Sequence, residues 1–262
     1  MIQWLRTALA AILLILFTLV LLPVQLVCLR FDFRPRRVLP RFWHRAACLA
    51  LGIRVRVHGE LNAHRPLMLA SNHVSWKDIV VLGSVADVVF IAKSEVKAWP
   101  VFGLLARLQA TIFIERDQKR STGEQVNEIG QRLAASEIVV LFPEGTTSDG
   151  NRLLEIKTSL FGAAASAVPL SPTGVVHVQP VALCYTGIYG MPMGRFHRTI
   201  AGWPGDIGLV PSLMGLLRAG AIDVDVVFGE PVVYEASSNR KLVSREIGSR
   251  IRSMLIRRLR GR

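Results

Sequence analysis

The sequence predicts an α/β fold: a mixed, mostly parallel sheet covered by helices, joined to an N-terminal membrane-anchoring helical segment. Two observations carry this. From residue 53 onward, short apolar runs alternate with helix-length windows, the pattern of a sheet packed on both faces. Ahead of them, residues 7–29 run for 23 positions without a charge. The composition sets the class. At 262 residues and 51% hydrophobic, the chain can bury a sizeable core and is not intrinsically disordered. A net charge of +13 on so apolar a chain points to an anionic membrane surface rather than to nucleic acid. No nucleic-acid motif is present, and the basic residues gather beside the apolar run and in the last 23 residues.

The elements follow in chain order. A helix over residues 7–29 is long enough to cross the roughly 30 Å hydrocarbon layer, while Pro23 and Gln25 also permit a kinked, re-entrant segment. A cleaved signal sequence fits poorly, since Arg6 alone precedes the run and no A-x-A site follows. Arg30, Arg34, Arg36, Arg37, Arg41 and Arg45 follow it, so positive-inside logic places the rest of the chain in the cytoplasm, against the inner membrane. Residues 1–48 thus read as hydrophobic anchor and basic linker, and 49–262 as the main domain. Residues 53–57 alternate with period two, a half-buried strand. Residues 67–70, 88–92, 110–114, 138–142, 178–183 and 222–228 read as further strands. Helical windows lie near 76–86, 98–108, 121–136 and 155–168, and the Gly- and Pro-rich residues 187–211 form a long irregular excursion. Residues 240–262 carry nine Lys/Arg and one Glu, with Val243, Ile247, Ile251, Met254, Leu255 and Leu259 on one stripe. This is a basic amphipathic helix, fit to pack on the core or to meet an anionic bilayer. Cys28, Cys48 and Cys184 cannot all pair and contain no C-x-x-C, so a disulfide framework and a zinc ribbon are disfavoured.

The residues that carry chemistry sit at strand ends. Asn72-His73-Val74-Ser75-Trp76-Lys77-Asp78 follows the run at 67–70. Four intervening residues let a tight turn bring Asp78 back to the His73 imidazole, fixing its tautomer and leaving the other nitrogen to take a proton. A purely structural His–Asp pair has the same spacing. Phe142-Pro143-Glu144-Gly145-Thr146-Thr147-Ser148 closes the run at 138–141; such a turn suits a polar headgroup or an oxyanion, or simply caps the next helix. Arg116, in Ile114-Glu115-Arg116-Asp117, offers a bidentate fork to phosphate or carboxylate, or pairs with its acidic neighbours. Pro180 interrupts a strand-like run, which marks an edge or a strand start. No G-x-S-x-G is present, which argues against an esterase.

In this order, these motifs resemble the glycerolipid acyltransferase family across about residues 50–230. Asn72, His73 and Asp78 match its N-H-x-x-x-x-D block. Phe113, Ile114 and Arg116 match G-x-x-F-I-x-R, with Ala110 in place of its glycine. Phe142, Pro143, Glu144, Gly145, Thr146 and Ser148 match F-P-E-G-T-R-S, with Thr147 in place of its arginine, and Pro180 matches a fourth block. Lys93 and the Trp99-Pro100 pair are also similar to the family. The resemblance implies that His73, oriented by Asp78, deprotonates a lyso-lipid hydroxyl, which attacks an acyl thioester of acyl carrier protein or coenzyme A without an acyl-enzyme. It implies that Arg116, Glu144, Gly145, Thr146, Thr147 and Ser148 bind substrate and that no metal or further cofactor is needed. His177 and His197 lack the spacing to add metal ligands. Losing the arginine at 147 removes a contact to an acceptor phosphate. Residues 142–151 and 201–206 also look like the bacterial lyso-ornithine lipid acyltransferases, with lysophosphatidate as the alternative acceptor. The implied partners are acyl carrier protein, the lyso-lipid and the membrane, not nucleic acid.

Overall fold

The computed structural model of the protein describes residues 2–114, 122–203 and 208–261. Two helices, α1 (Ile2–Arg30) and α2 (Pro35–Leu51), lead into β1 (Ile53–His58) and β2 (Leu67–Ser71). Then come α3 (Lys77–Val85), β3 (Val88–Lys93), α4 (Phe102–Leu108), β4 (Ile112–Ile114), α5 (Thr122–Ala134), β5 (Ile138–Leu141) and α6 (Gly162–Ala167). The chain finishes with β6 (Val175–Ile188), β7 (Met191–Pro192), α7 (Leu209–Ala219), β8 (Ile222–Phe228), β9 (Val232–Glu235) and α8 (Arg240–Leu259). The strands form one sheet in the order β1-β8-β6-β2-β5-β3-β4, with β7 and β9 also paired to β6. It is mixed and mostly parallel: β6, β2, β5, β3 and β4 share a direction, and β1 parallels β8. Strands β7, β8 and β9 run against β6.

Every residue of β2 is buried, because both faces of the sheet are covered. Leu67 and Leu69 point to a core shared with α2 and α3, while Met68 and Ala70 point to a core shared with α5, α6 and α8. The α8 stripe resolves accordingly: Val243, Ile247, Ile251, Met254 and Leu255 are buried in the second core. Residues 35–48, read from sequence as a basic linker, instead form most of α2, with Ala47 and Cys48 in the first core. Pro35 and Pro40, among arginines, hid this helix; Pro35 sits in its first turn, where no intrahelical N–H is required. Helix α1 is long and apolar enough to cross a membrane, and it docks on the domain. Gln25 within it donates to the Arg36 carbonyl at 3.0 Å and to Leu108 O at 2.6 Å. The expected strand at 110–114 covers only β4, and the window at 155–168 contains a 3-10 turn followed by the short α6. The excursion expected at 187–211 holds β7 and a 3-10 turn at His197–Ile200, and its last residues begin α7.

Strand β6 changes partner midway. β9 pairs with Val175, Val176, His177 and Val178, and β8 takes over from Val181. Pro180 lies at that handover, so it belongs to a central strand rather than to an edge. Its carbonyl accepts the Gly229 N–H at 2.9 Å, but it has no N–H to return. The Gln179 amide supplies the missing donor, reaching Gly229 O at 2.9 Å and Glu60 O at 2.8 Å, and its Oε1 accepts from Asn62 N at 3.0 Å. At the sheet edge, Arg54 and Arg56 of β1 face Asp223 and Asp225 of β8 in register. Asp225 also accepts from Arg258 of α8 at 2.9 Å, which ties that helix to the sheet.

Two variants test these devices. Gln179→Leu removes the side-chain partner of three part-buried backbone groups and should cost about 1–3 kcal/mol in a denaturant titration. Ala110 holds φ at 55°, in the left-handed region where a Cβ is disfavoured. Ala110→Gly should therefore raise the unfolding free energy by up to about 1 kcal/mol, read in the same titration.

Candidate active site

The site is built where β2 and β5 end. Asn72 replaces a further strand residue with its side chain: Nδ2 donates to Leu183 O at 3.0 Å, and Oδ1 accepts from Leu183 N at 2.7 Å. This pins the loop to β6. The chain then enters α3 through Ser75-Trp76-Lys77-Asp78, an S-x-x-D capping arrangement. Ser75 Oγ faces the Lys77 N–H at 3.4 Å, and Asp78 Oδ2 accepts from Ser75 N at 2.9 Å.

Asp78 is fully buried. Its Oδ2 also accepts from Val74 N at 2.6 Å and lies 2.8 Å from His73 Nδ1. Its Oδ1 accepts from the Tyr185 hydroxyl at 2.7 Å. A carboxylate so placed is an acceptor only, so Nδ1 carries the proton and Nε2 presents a lone pair. Burial, with the Asp78 charge, pushes the Tyr185 phenol well above its usual range, so it remains a donor. The imidazole lies flat on Phe142, with ring centroids 4.0 Å apart and 17° between the planes. His73 is thus held from the edge by a carboxylate and from one face by a ring, and it remains partly exposed. This geometry is suited to taking a proton from a hydroxyl.

The turn after β5 frames this base. Glu144 is 2% exposed. Its oxygens accept from His73 N and Leu154 N, both at 2.6 Å. Burial pushes its carboxyl up to about 7, against the pull of those two N–H groups. Gly145 adopts φ 69°, and a Cβ there would lie 3.0 Å from Lys157 Nζ. Thr146 is exposed. The Thr147 hydroxyl donates to Trp203 O, and Ser148 N donates to His73 O at 2.8 Å. Trp203 N in turn donates to Val74 O at 2.9 Å, so the excursion closes over the loop, and Trp99 meets Trp203 edge to face. Arg116 lies outside the described residues.

The structure therefore brings His73, Asp78, Glu144, Thr147 and Ser148 into one hydrogen-bonded bundle. His177 lies at the other end of β2, beside Leu67, and stacks on His64. Among the described residues no cluster of His, Cys, Asp or Glu suits a metal ion. The sequence reading missed Tyr185 and Arg198. The Arg198 guanidinium is buried and donates to Tyr185 O at 3.1 Å, Asn151 Oδ1 at 2.6 Å and Met193 O at 2.9 Å. A tyrosine inside an apolar strand run was the available signal, since a buried phenol needs a partner; Arg198 had none.

A family model described as Acyltransferase matches residues 54–184. A lyso-ornithine lipid O-acyltransferase of Rhizobium meliloti (strain 1021) is 72% identical, covering 100% of this chain and 90% of that protein. A protein of the same name from Brucella abortus (strain 2308) is 48% identical, covering 100% and 98%. A 1-acyl-sn-glycerol-3-phosphate acyltransferase of Neisseria gonorrhoeae is 30% identical over 80% of this chain and 78% of its own. The crystal structure of the 1-acyl-sn-glycerophosphate acyltransferase PlsC from Thermotoga maritima superposes with a TM-score of 0.62 at 21% identity. It covers 99% of this chain and 98% of that one, so the two share the fold.

Glu144 makes a pH prediction. Its carboxyl titrates at about 7 when folded against 4.5 as a free side chain, so the native state holds the proton more tightly. Its contribution to stability is full below pH 4.5 and is lost as the pH rises through 7. The unfolding midpoint of the wild type relative to Glu144→Gln should fall across that window.

Proposed function

The chain belongs to the acyltransferase family, and we propose that it moves a fatty acyl group from acyl-acyl carrier protein to the free hydroxyl of lyso-ornithine lipid, forming ornithine lipid. That it is an acyltransferase acting on a lysolipid follows from its relatives. The choice of acceptor is supported by the 72% full-length identity to the Rhizobium meliloti protein of that name. The donor reading is supported by the net charge of +13, which attracts an acidic carrier protein by long-range steering. In this reading α1 seats the enzyme in the inner membrane, with the domain on the cytoplasmic side.

The observation that carries the mechanism is the 2.8 Å contact between His73 Nδ1 and Asp78 Oδ2. With Nδ1 protonated, Nε2 takes the hydroxyl proton as the acceptor oxygen attacks the thioester carbonyl carbon. The tetrahedral intermediate collapses by breaking the carbon–sulfur bond, and the imidazolium returns its proton to the departing thiolate. Every proton and electron pair is accounted for, so the step asks for no metal and no cofactor beyond the thioester co-substrate. Asp78 stabilises the imidazolium between the two transfers. Arg116 and the Glu144–Gly145–Thr146 turn hold the polar part of the acceptor. Thr147 and Ser148, whose polar groups tie the excursion and the His73 loop together, shape the same wall.

The test is acyl transfer by membranes containing the protein, offered acyl-acyl carrier protein with lyso-ornithine lipid and lysophosphatidate in parallel. We expect product from lyso-ornithine lipid, with the rate falling about 10²–10⁴-fold in His73→Ala and Asp78→Asn. Product mainly from lysophosphatidate would overturn the acceptor, and full activity in His73→Ala would overturn the mechanism.

A further inference from the structure

Lys157 lies against the turn that frames His73, yet it takes no part in the hydrogen bonds around the dyad. Its backbone is fixed in place. Lys157 N donates to Pro143 O at 2.9 Å, and Leu154 N, three residues earlier, donates to Glu144 Oε2 at 2.6 Å. Ile156 packs on the second core and against Gly248 of α8. Lys157, the next residue, is exposed and runs the other way, along Gly145. A Cβ at Gly145 would meet Lys157 Nζ at 3.0 Å and its Cδ and Cε at 3.2 Å. Gly145 holds φ at 69°, so the turn presents bare backbone there, and the stem of the lysine takes the space a side chain would fill.

The ammonium at the end of that stem is uncommitted. Among the described residues, Lys157 has neither an acidic partner within ion-pair distance nor a side-chain hydrogen bond. Its charged neighbours in the site are of the opposite sign or already engaged. Asp78 and Glu144 are buried carboxyls bonded to His73. The Arg198 guanidinium has three acceptors of its own. Position 147, where the related block carries arginine, holds a threonine whose hydroxyl donates to Trp203 O. An anionic lipid approaching His73 therefore meets two carboxyls, and Lys157 is the described cation seated on the turn beside them. Its charge offsets that repulsion and draws the lipid in.

We propose that Lys157 is an acceptor-binding residue: its ammonium, laid along the Gly145 turn, holds the anionic oxygen group of the lyso-lipid headgroup while the free hydroxyl sits at His73. The inference rests on transfer to a lysolipid hydroxyl at His73, as proposed above. Both acceptors considered there share the required chemistry. Ornithine joined to a fatty acid through its α-amine keeps a carboxylate, and lysophosphatidate carries a phosphate. In each, the charge is a few bonds from the hydroxyl, which matches the short path from Lys157 through Gly145 and Glu144 to the His73 loop. The phosphate of a carrier protein's pantetheine arm lies at the far end of that arm from the thioester carbon, so the donor fits this position poorly. An ammonium is a point charge with three donors and accommodates either anion.

The experiment measures KM and kcat for wild type, Lys157→Met and Lys157→Arg, using the full chain in membranes. Lyso-ornithine lipid, its carboxamide and lysophosphatidate are each varied at saturating acyl-acyl carrier protein, and then the donor is varied. Met keeps the stem that covers Gly145 and removes the charge. Lys157→Met should raise KM for the anionic acceptor about tenfold with kcat unchanged, as expected for a charged contact made equally in the ground and transition states. KM for the donor should stay at its wild-type value, and Lys157→Arg should recover most of the loss. With the carboxamide, wild type and Lys157→Met should have the same KM. Equal KM for the anionic acceptor in wild type and Lys157→Met would overturn the proposal. So would an equal rise with the carboxamide, or a rise in the donor's KM in place of the acceptor's. Failure of the acceptor reading shows separately, as wild-type product from lysophosphatidate alone, and the Lys157 comparison is then read with that lipid. Activity in His73→Ala would remove the base assignment without changing the KM comparison.

Discussion

The architecture of the site depends on one buried carboxylate. Asp78 has no access to water and must find all its hydrogen bonds inside the protein. It does so by gathering two loop amides, an imidazole and a phenol from β6. Each bond also performs a structural task. The amides set the tight turn that starts α3, the imidazole bond fixes the tautomer of His73, and the phenol ties the helix to the sheet. The geometry of the candidate site and local folding are therefore one constraint.

Further hydrogen bonds around the loop keep that arrangement closed. Glu144 and Ser148 hold the two ends of the His73 peptide, and Trp203 holds Val74. Thr147 then joins the turn after β5 to the Trp203 carbonyl. Three segments far apart in sequence are thus linked through backbone groups, which leaves the His73 ring partly open above them. Such preorganisation matters for the proposed chemistry, in which the imidazole must sit within hydrogen-bond reach of the proton it takes. The block with threonine in place of the family's arginine does not leave a gap here: the threonine hydroxyl has become a fastening for the excursion.

The sheet supports this by sharing partners economically. β6 spans 14 residues and pairs with β2 on one side, with β9 and then β8 on the other. The handover from β9 to β8 creates the place where a proline fits, and the Gln179 amide restores the donor that proline lacks. At the rim, aspartates of β8 draw arginines from both β1 and α8. Charge that composition alone would assign to a membrane surface is thus partly spent on holding the edge strand and the last helix in place.

Much of this was legible in the residue order. The apolar runs that became β2, β5 and β8, the stripe of α8, the uncharged N-terminal run and the H-x-x-x-x-D spacing all depend on local periodicity, which a linear chain displays directly. The partner of Asp78 at position 185, the docking of α2 and the use of Glu144 as a strut could not be read in this way. Tyr185 lies 107 residues from Asp78, and nothing near it marks it as a donor to a helix N-terminus. In α2, prolines and arginines masked the helical stripe, and only packing against α3 gives Ala47 and Cys48 their place. A carboxylate in a turn reads as a binding group, and only tertiary structure shows that it also takes two backbone N–H groups. Local pattern follows from the geometry of a single strand or helix, whereas the pairing of buried polar groups follows from where distant segments meet, and that depends on the assembled sheet.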